Sequence, residues 1–470
     1  MPSNLGILCI DFGTSSIRAA LVKPGRSSPE VLELGEAIRS SIDRASIPSA
    51  IFIDSEMSKI TFGEDALKNG QRGIDSMLFE ISPKKWMSND PPSNLEKEII
   101  PGTGLTCKHL LAGLLAQAFS AVATASGISK IDLSTYETRV AHPVWSPDKH
   151  HQLKQHLSWI TKVGRQIAGS TDKEITVEKL CLAISKSNSK SGPLDLDVEE
   201  PVAAALELFE NTDNAREICV VIDVGAGTTD LGIFLSLTPD PSSFRHSRKF
   251  IQAAPPRSMY MAGDLIDQEV INLISNRASG IKKDKVSELQ RRRRSIKETL
   301  FSSRTNKIFE AEVEVTLSEL EKQPKIKQMQ NELTKNFDSL IFEASDFIKI
   351  FVDASFHRAD RINVVFAGGG SNISFLHQAI KKTATLSTGR LVPVSIRSAS
   401  STDRNLPASY ERLAVAMGGT TPTEFWPVTS ITDPYQLSTQ WDSAFSLNNR
   451  GLSSDLDSRS LDSNWWRDQE

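Results

Sequence analysis

"CIDFGTSSIRAALV", residues 9–22, is an apolar stretch that ends on an aspartate, turns through a glycine and hydroxyl residues, and becomes apolar again. This pattern predicts a β-hairpin with a carboxylate and hydroxyl groups at its tip. The same order of residues returns in "ICVVIDVGAGTTDLGIFL", residues 218–235. Two equivalent hairpins so far apart in the chain predict two similar halves that face one another.

Strands and helices alternate through the rest of the chain. A strand leads into a third glycine turn in "VVFAGGGSNISFL", residues 364–376. Apolar periodicity and capping residues predict further strands within 47–70, at 138–145 and at 310–317, and helices at 110–127, 148–170, 198–210, 284–303 and 318–355. This alternation favours an α/β fold with a mainly parallel or mixed sheet.

The composition fits a soluble protein of about two to four domains. The chain has 470 residues, 24% of them charged, with a net charge of -4, so no global basic field would attract nucleic acid or an anionic membrane. The cysteines are too far apart for a disulfide framework or a structural zinc site, which indicates a reducing compartment. Because the N-terminus lacks the regions of a signal peptide and no apolar run is long enough to span a membrane, we expect a cytoplasmic protein.

Residues 423–470 differ from the rest of the chain because they are serine-rich, acidic and dotted with tryptophans. Such a composition cannot bury enough apolar surface to fold on its own, so we expect a flexible tail. The adjacent Trp465 and Trp466 are either incidental or part of a peptide that docks on a protein partner. The sequence favours neither interpretation.

Two further patterns have plain structural interpretations. The run Arg291–Arg294 is more typical of a solvated helix face than of a nucleic-acid site, because no aromatic platform accompanies it. His150, His151 and His156 share a predicted helix, but no carboxylate or cysteine accompanies them at metal-ligand spacing. We expect these histidines at the surface.

Glycine turns of this kind suit a triphosphate. Glycine lacks a Cβ, so backbone N–H groups can approach phosphate oxygens, and hydroxyls and a divalent cation complete such a site. Aspartates at strand ends would repel phosphate, so their sensible role is to hold a hydrated Mg²⁺ that bridges to it; these are Asp11, Asp223 and Asp230. One hairpin alone could be a plain turn. Three glycine turns in order, with an alanine-rich helix before the second, favour the phosphate site.

This set of motifs resembles the actin-like ATPase superfamily and, within it, the nucleotide-binding domain of DnaK-type heat-shock chaperones. "IDFGTSS" is similar to the first phosphate loop, "EEPVAAAL" to the first connecting helix, "IDVGAGTTD" to the second phosphate loop and "AGGGSNI" to the adenosine turn. "IPSAIFI", "FGEDALKN", "RRSIKETLFSS" and "EAEVEVTL" extend the resemblance, which covers about residues 5–420.

The resemblance implies a two-lobed actin-like fold, a duplicated ribonuclease-H-like arrangement with a nucleotide cleft between the lobes. Lobe I would span residues 1–210 and lobe II residues 211–422, with an adenine lobe at about 264–345. The implied ligands are ATP or ADP and Mg²⁺. The tail at 423–470 would lie outside both lobes.

The family's roles can be carried onto matching positions. Glu200 would position the attacking water, and Asp11 and Asp223 would act on the magnesium side. The family's lysine near the γ-phosphate lies in a segment similar to "FEISPKKW", which offers Lys84 or Lys85. In addition, Pro143 in "AHPVW" resembles a proline that relays nucleotide state between lobes. The implied nucleotide contacts are Gly13, Thr14, Ser15, Gly225, Ala226, Gly227, Thr228, Thr229, Asp230, Lys297, Ser302, Gly368, Gly369, Gly370, Ser371 and Ile373.

The sequence departs from the family pattern at several of these contacts. Ala226 replaces the middle glycine of the second phosphate loop, which keeps the N–H but stiffens the turn. Glu298 and Phe301 stand where the family carries an arginine and a serine, and Ile373 stands where an arginine stacks on the base. We therefore expect ATP binding that is weaker than in a typical chaperone of this family.

The function implied is that of a slow, chaperone-like ATPase whose lobes open and close with the nucleotide and so control association with a protein partner. The tail is a candidate contact for that partner, and a nucleotide-exchange factor is a candidate second partner. The residues after Pro422 leave no room for the family's substrate-binding domain, so we expect no autonomous folding activity on peptides.

Three alternatives stay open from the sequence. The first is an actin-like filament-forming ATPase. The second is a small-molecule kinase of the same fold, for which Asp132 and Asp148 are the candidate catalytic aspartates. The third is a pseudo-ATPase that binds nucleotide without turnover, and the intact Asp11, Glu200 and Asp223 argue against it.

Overall fold

The fold is mixed α/β, with helices packed around several sheets. The computed structural model describes residues 5–37, 43–56, 58–88, 90–129, 135–169, 174–187, 194–195, 198–208, 216–237, 249–278, 282–303, 305–354, 359–397 and 410–422. The predicted tail at 423–470, including Trp465 and Trp466, and the kinase candidate Asp132 lie outside these described residues.

The strands are numbered here in chain order. They are β1 (Ile7–Phe12), β2 (Ser16–Val22), β3 (Glu30–Val31), β4 (Ile47–Pro48), β5 (Ile51–Asp54), β6 (Lys59–Phe62), β7 (Ser76–Glu80), β8 (Glu137–Ala141), β9 (Glu174–Thr176), β10 (Leu194–Asp195), β11 (Arg216–Val224), β12 (Thr229–Leu237), β13 (Lys249–Met259), β14 (Lys307–Glu310), β15 (Val313–Thr316), β16 (Ile362–Ala367), β17 (Thr383–Thr385) and β18 (Leu391–Arg397).

The helices follow the same convention, and short 3₁₀ turns lie at Pro92–Glu96 and Tyr410–Arg412. The α-helices are α1 (Leu34–Ala37), α2 (Gly63–Gln71), α3 (Lys85–Ser88), α4 (Cys107–Ser126), α5 (Pro147–Ile167), α6 (Val177–Ser185), α7 (Glu200–Leu208), α8 (Gly263–Arg277), α9 (Lys283–Ser302), α10 (Leu317–Glu321), α11 (Pro324–Glu343), α12 (Ser345–Val352), α13 (Ser374–Ala379) and α14 (Ala414–Gly418).

Two of the sheets share one topology over five strands. The first has the order β10–β8–β1–β2–β3, with β4 also beside β2, and the second has the order β13–β12–β11–β16–β18–β17. In each sheet an antiparallel hairpin, β1–β2 or β11–β12, is extended on one side by an antiparallel strand and on the other by two successive parallel strands. The two hairpins singled out in the sequence therefore occupy equivalent places in two similar sheets.

Strand β11 carries apolar residues on both of its faces because each face packs against a different set of helices. All of its residues are buried. Ile218, Val220 and Ile222 pack in a cluster with side chains of α8 and α11, whereas Cys219 and Val221 pack against α7. Each fully buried isoleucine or valine contributes about 1.5–3 kcal/mol, so covering both faces firmly anchors this central strand.

Helices α7 and α14 cross between the two sheets. α7 packs on β11 and β12, and α14 packs on β1 and β2. The helices also contact each other so closely that a Cβ on Gly418 would lie 1.8 Å from the Ala203 carbonyl oxygen. The next residue, Gly419, lies against the thiol of Cys9 in β1. Each sheet is thus covered by a helix that follows the strands of the other sheet.

The helix predicted at 110–127 is α4. Thr106 caps its start, because the Thr106 hydroxyl accepts from the His109 N–H. Gly127 caps its end, with a φ of 65° in the left-handed conformation that glycine adopts readily. Among the described parts of the chain, α4 is the one helix long and apolar enough to cross a membrane, so the expectation that no apolar run reaches that length is wrong. Most of α4 is buried inside the protein. It packs against α5 as a core helix.

Two predicted elements are divided in the structure. The long helix predicted at 318–355 is three helices, α10 to α12. The first break lies at Pro324, which begins a new helix because its ring cannot continue the preceding one. The second break lies at Ala344. The strand predicted at 310–317 is the end of a hairpin, β14–β15. Its turn is made by Ala311 and Glu312, which have left-handed φ values of 50° and 64°. Such turns usually carry glycine or asparagine, so these two residues do not mark the turn in the sequence.

A smaller sheet has the order β7–β5–β6–β9. Its edge strand β7 leads into residues 81–88, the segment that carries the two candidate lysines. A tight turn follows, in which the N–H groups of Lys85 and Trp86 donate to the carbonyls of Ser82 and Pro83. This sheet therefore determines where that segment begins.

Candidate active site

Asp11 and Asp223 lie at equivalent positions of the two similar sheets. Each is the last residue but one of the first strand of its hairpin. Both are buried, with exposed fractions of 7% and 5%. Their cross-strand partners differ, because Asp11 faces Arg18, with Oδ2 3.8 Å from the guanidinium Nη1, whereas Asp223 faces Asp230. One aspartate thus has a cation beside it and the other a second carboxylate.

The turns of the two hairpins approach each other. A Cβ placed on Gly227 would lie 3.0 Å from Thr14 Oγ1, so the glycine permits this close approach. Within the second turn, the Gly225 N–H donates to the Thr228 carbonyl at 2.9 Å. The side chains of Thr14 and Thr228 are both buried. The hydroxyl and amide groups of the two turns therefore border one site.

The third glycine turn packs against the end of β11. The Gly370 N–H donates to the Val224 carbonyl at 2.9 Å. Gly368 has a φ of 78°, and a Cβ there would lie 2.2 Å from Asp223 Oδ1, so this position requires glycine. Gly369 has open space on its Cβ side. Asp223 thus lies where the second and third turns meet.

The predicted base and one predicted lysine form an ion pair. Lys84 Nζ contacts Glu200 Oε1, and both residues are buried. Lys84 Nζ also lies 5.9 Å from the ring centroid of Phe12, the last residue of β1. Lys85 instead pairs with Glu80 at 2.8 Å, and its side chain is 38% exposed. Of the two lysines that the sequence leaves open, Lys84 is the one that lies in the site.

Asp230 is held by donors from inside and outside its own hairpin. Thr228 Oγ1 donates to Oδ2 at 2.8 Å, and the Val144 N–H donates to Oδ1 at 3.1 Å. Ser258 is the cross-strand partner of Asp230 in β13. The Thr228 hydroxyl and the Val144 N–H fix the orientation of this carboxylate.

The segment 142–144 connects Asp230 to Glu200. The Glu200 N–H donates to the His142 carbonyl at 2.9 Å, and Val144 holds Asp230 as described. Pro143, the predicted relay, stands between these two contacts and is buried. Sequence reasoning finds the proline but misses its neighbours, because both act through backbone groups that any residue type carries.

Burial raises the pKa values of the three aspartates. It raises the pKa of Asp11 to about 6, with the charge of Glu200 adding and two cationic side chains opposing. It raises the pKa of Asp230 to about 7, again with Glu200 adding and hydrogen bonds opposing. The pKa of Asp223 rises well above its ordinary value, because burial is reinforced by Glu200, Asp11 and Asp230. The four carboxylates are therefore within electrostatic reach of one another.

We call Asp11, Glu200, Asp223 and Asp230 the carboxylate cluster. Arg18 and Lys84 oppose its negative charge, yet the aspartate pKa values remain raised. A divalent cation would relieve this excess of buried negative charge. Arg18 is not among the predicted site residues, although the register of a short hairpin would have placed it opposite Asp11.

The donor set fits magnesium held through water. Within the described residues, no three His, Cys, Asp or Glu side chains are grouped closely enough to hold a metal ion directly. Mg²⁺ prefers oxygen ligands, keeps several of its waters and is commonly bound by one or two carboxylates together with phosphate oxygens. Carboxylate oxygens beside glycine turns therefore suit a Mg²⁺ ion that keeps its waters better than one ligated entirely by protein atoms.

The residues predicted to hold the base are less well assembled. Lys297 Nζ lies 2.7 Å from Asp267 Oδ1 and donates to the Gly263 carbonyl at 3.3 Å, so it is engaged next to the second turn. Ile373 is buried in the core beside Gly370. Phe301 is half-buried, with its ring 6.3 Å from that of Phe375.

The predicted base contact Ser302 faces solvent, as does Glu298, which stands where the family carries an arginine. Glu298 and Ser302 are exposed on α9, and the Ser302 hydroxyl donates to the Thr299 carbonyl of its own helix. The structure thus joins the phosphate-side residues into one site and leaves the base side without a comparable set of polar contacts from these positions.

The remaining candidates lie apart from the cluster. Asp148, the described kinase candidate, is exposed at the start of α5. His151 is exposed as expected, whereas His150 packs edge-on against Trp145 and His156 is half-buried, so the surface expectation is wrong for these two. The arginines at 291–294 are half-buried, and two of them bind neighbouring elements, Arg292 through Glu310 and Arg294 through Ser82.

Comparison with protein-family models finds no match for this chain, and comparison with curated proteins finds no significant relative.

Proposed function

We propose that the protein is a slow ATPase of the actin-like superfamily, similar to the nucleotide-binding domain of DnaK-type chaperones, that binds Mg²⁺–ATP between its first two glycine turns. The observation that supports this most is the approach of the two hairpin turns, Gly227 against Thr14, beside the carboxylate cluster and the Lys84–Glu200 ion pair. Each of these features alone has a structural explanation, whereas their meeting at one buried place favours a phosphate site.

The repeated sheet topology supports a two-lobed, duplicated fold. Both sheets have the same strand directions around the hairpin, and their aspartates occupy equivalent positions. The larger hydrophobic clusters draw on separate stretches of the chain, residues 8–184 and 218–392. In this proposal the nucleotide lies between the halves, with lobe boundaries near residue 210.

The proposed chemistry is mainly positioning. The amides and hydroxyls of the turns would hold the phosphates, and Lys84 would move from Glu200 to a phosphate oxygen. Glu200, freed of its ion pair, would orient the attacking water and accept its proton, a role that contributes about 10²- to 10⁴-fold in rate. Mg²⁺, held by the aspartates largely through its waters, would supply charge neutralisation of the phosphates.

The nucleotide state would control a protein partner, as in a chaperone-like switch. Such control requires that the partner binds the ATP and ADP states with different affinity. Equilibrium titration of a candidate partner in the presence of each nucleotide measures this difference, and equal affinities would exclude the switch. The tail at 423–470 is the proposed contact, so removal of residues after Pro422 should weaken partner binding and leave ATP binding unchanged.

The two adjacent lysines test the site directly. Lys84→Ala should lower single-turnover ATP hydrolysis by about 10²-fold, because it removes the buried charge next to the proposed γ-phosphate position. Lys85→Ala removes an exposed ion pair one residue away and should leave hydrolysis within about twofold of wild type. Equal effects of the two changes, or the absence of Mg²⁺-dependent ATP binding in the wild-type protein, would refute the proposed function.

A further inference from the structure

Beyond the turns, a second group of polar side chains joins distant parts of the chain. Ser82 Oγ donates to Asp264 Oδ2 at 2.7 Å, and Arg294 Nη2 donates to Ser82 Oγ at 2.7 Å. Arg294 Nη2 also lies 3.5 Å from Asp264 Oδ1. The hydroxyl of the buried Ser82 thus donates to one of the two other side chains and accepts from the other, which closes a three-residue contact. We call Ser82, Asp264 and Arg294 the clasp.

One end of the clasp holds the turn that carries Lys84. Ser82 lies two residues before Lys84, and its carbonyl accepts from the Lys85 N–H at 3.0 Å. Its own N–H donates to Glu80 Oε1 at 2.8 Å. Because Ser82 is bonded through its hydroxyl, N–H and carbonyl, its position determines where this turn begins.

The other end of the clasp holds the second glycine turn. Asp264 is in the first turn of α8, and its N–H donates to the Ala226 carbonyl at 2.7 Å. The neighbouring Gly263 N–H donates to the Gly225 carbonyl at 3.1 Å. Asp264 therefore connects the two turns by itself. Its carboxylate binds the turn that carries Lys84, and its backbone binds the second glycine turn.

Arg294 is the residue that fixes this connection from α9. Its side chain is 18% exposed, and its Nε lies 4.0 Å from Oδ2 of the fully buried Asp267. Lys297 pairs with the same carboxylate at 2.7 Å, so Asp267 holds both cations against α8. Charge-assisted hydrogen bonds in such a half-buried place are stronger and more directional than those on the surface.

We propose that Arg294 is a positioning residue for ATP hydrolysis, which through Ser82 and Asp264 sets the distance between Lys84 and the second glycine turn. This inference rests on the proposed function. It follows that loosening the clasp should displace Lys84 and lower the rate of the chemical step, while the turns that bind the phosphates remain in place. A displacement of about 1 Å at a reacting group can cost about 10²-fold in rate.

The test compares Arg294→Gln with Arg292→Gln in the full chain. Arg292 lies on the same helix and makes ion pairs with Glu288 and Glu310, which belong to α9 and the adjacent hairpin, so it is a matched control without contact to residue 82. Arg294→Gln and Ser82→Ala should each lower kcat for ATP about tenfold or more with little change in KM, and Arg294→Lys should be intermediate. The double variant should lose no more than the worse single variant, because both act through one contact.

A second readout does not depend on nucleotide. In the free protein, amide hydrogen exchange of residues 82–88 should be about tenfold faster in Arg294→Gln than in wild type, and unchanged in Arg292→Gln. Wild-type exchange rates in Arg294→Gln would overturn the clasp whatever the protein does with ATP. Faster exchange together with unchanged kcat would overturn the positioning role, whereas a wild-type protein that does not bind ATP at all would refute the proposed function and leave only a structural clasp.

Discussion

Lys84 and Lys85 are neighbours in the sequence with opposite surroundings. The first is buried against Glu200 at the end of β1, and the second is paired with Glu80 near the surface. Burying such an ion pair removes both side chains from water, and their mutual attraction offsets that cost. Removal of one partner therefore leaves an uncompensated buried charge. At the residue scale, the two lysines therefore differ in burial. The spacing of residues in "FEISPKKW" could not predict which of them is buried.

The raised aspartate pKa values predict a pH-dependent stability of the ligand-free protein. The folded pKa values of Asp11 and Asp230 are about 6 and about 7, above the ordinary 3.8. Between about pH 4 and these folded pKa values, the folded protein therefore holds protons that the unfolded chain releases. The stability contributed by these groups is fully present below about pH 4 and is lost as the pH rises through about 7.

Asp230→Asn removes one of these titrations while keeping an amide oxygen for the Val144 N–H. The free energy of unfolding of this variant, measured by urea denaturation, should fall between pH 5 and pH 8 by about 1–3 kcal/mol less than that of wild type. Asp338→Asn, which changes an exposed carboxylate on α11, should keep the wild-type pH dependence. Identical pH slopes in all three proteins would contradict the raised pKa of Asp230.

At the element scale, the glycine turns depend on single positions. Gly368→Ala places a side chain at a φ of 78° and 2.2 Å from Asp223 Oδ1, so either the turn or the aspartate must move. We expect a loss of about 1–3 kcal/mol in the free energy of unfolding and a clear loss of ATP affinity. Gly369→Ala meets open space and should leave the free energy of unfolding nearly unchanged. Thermal unfolding of the two variants, together with equilibrium ATP binding of Gly368→Ala, checks this, and equal stability losses in both variants would contradict the assigned geometry.

Much of the element pattern could be predicted from the sequence. Local signals mark the hairpins at 9–22 and 218–235, which have apolar strands around glycine turns, and the helix at 110–127, which has a long apolar run and a capping glycine. The hairpin turn at Ala311–Glu312 has left-handed backbone without glycine, and only its tertiary surroundings select it. The break at Pro324 was available from the sequence, since proline at a helix interior position is disfavoured.

The candidate site was predictable in part for the same reason. Aspartates at strand ends and glycines in turns can be recognised from residue type and position, as Asp11 and Asp223 can. Val144 and His142 act through backbone groups, and Arg294 acts across a distance of more than two hundred residues in the chain, so no local pattern reveals them.

For the whole molecule, the central observation is that two similar sheets bring equivalent hairpins together. The helices α7 and α14 each cross to the other sheet and contact one another at Gly418 and Ala203. A change in the angle between the sheets would therefore be transmitted through this crossing to both hairpin turns at once. Under the proposed function, a nucleotide bound between the turns would change this angle and so alter a distant surface.

Hydrogen exchange with and without Mg²⁺–ATP tests the central claim most directly. If one ligand lies between the two turns, peptides covering residues 9–18 and 223–231 should both become protected on its addition, and removal of Mg²⁺ should abolish the protection of both. Protection of only one hairpin, or of neither, would contradict the account.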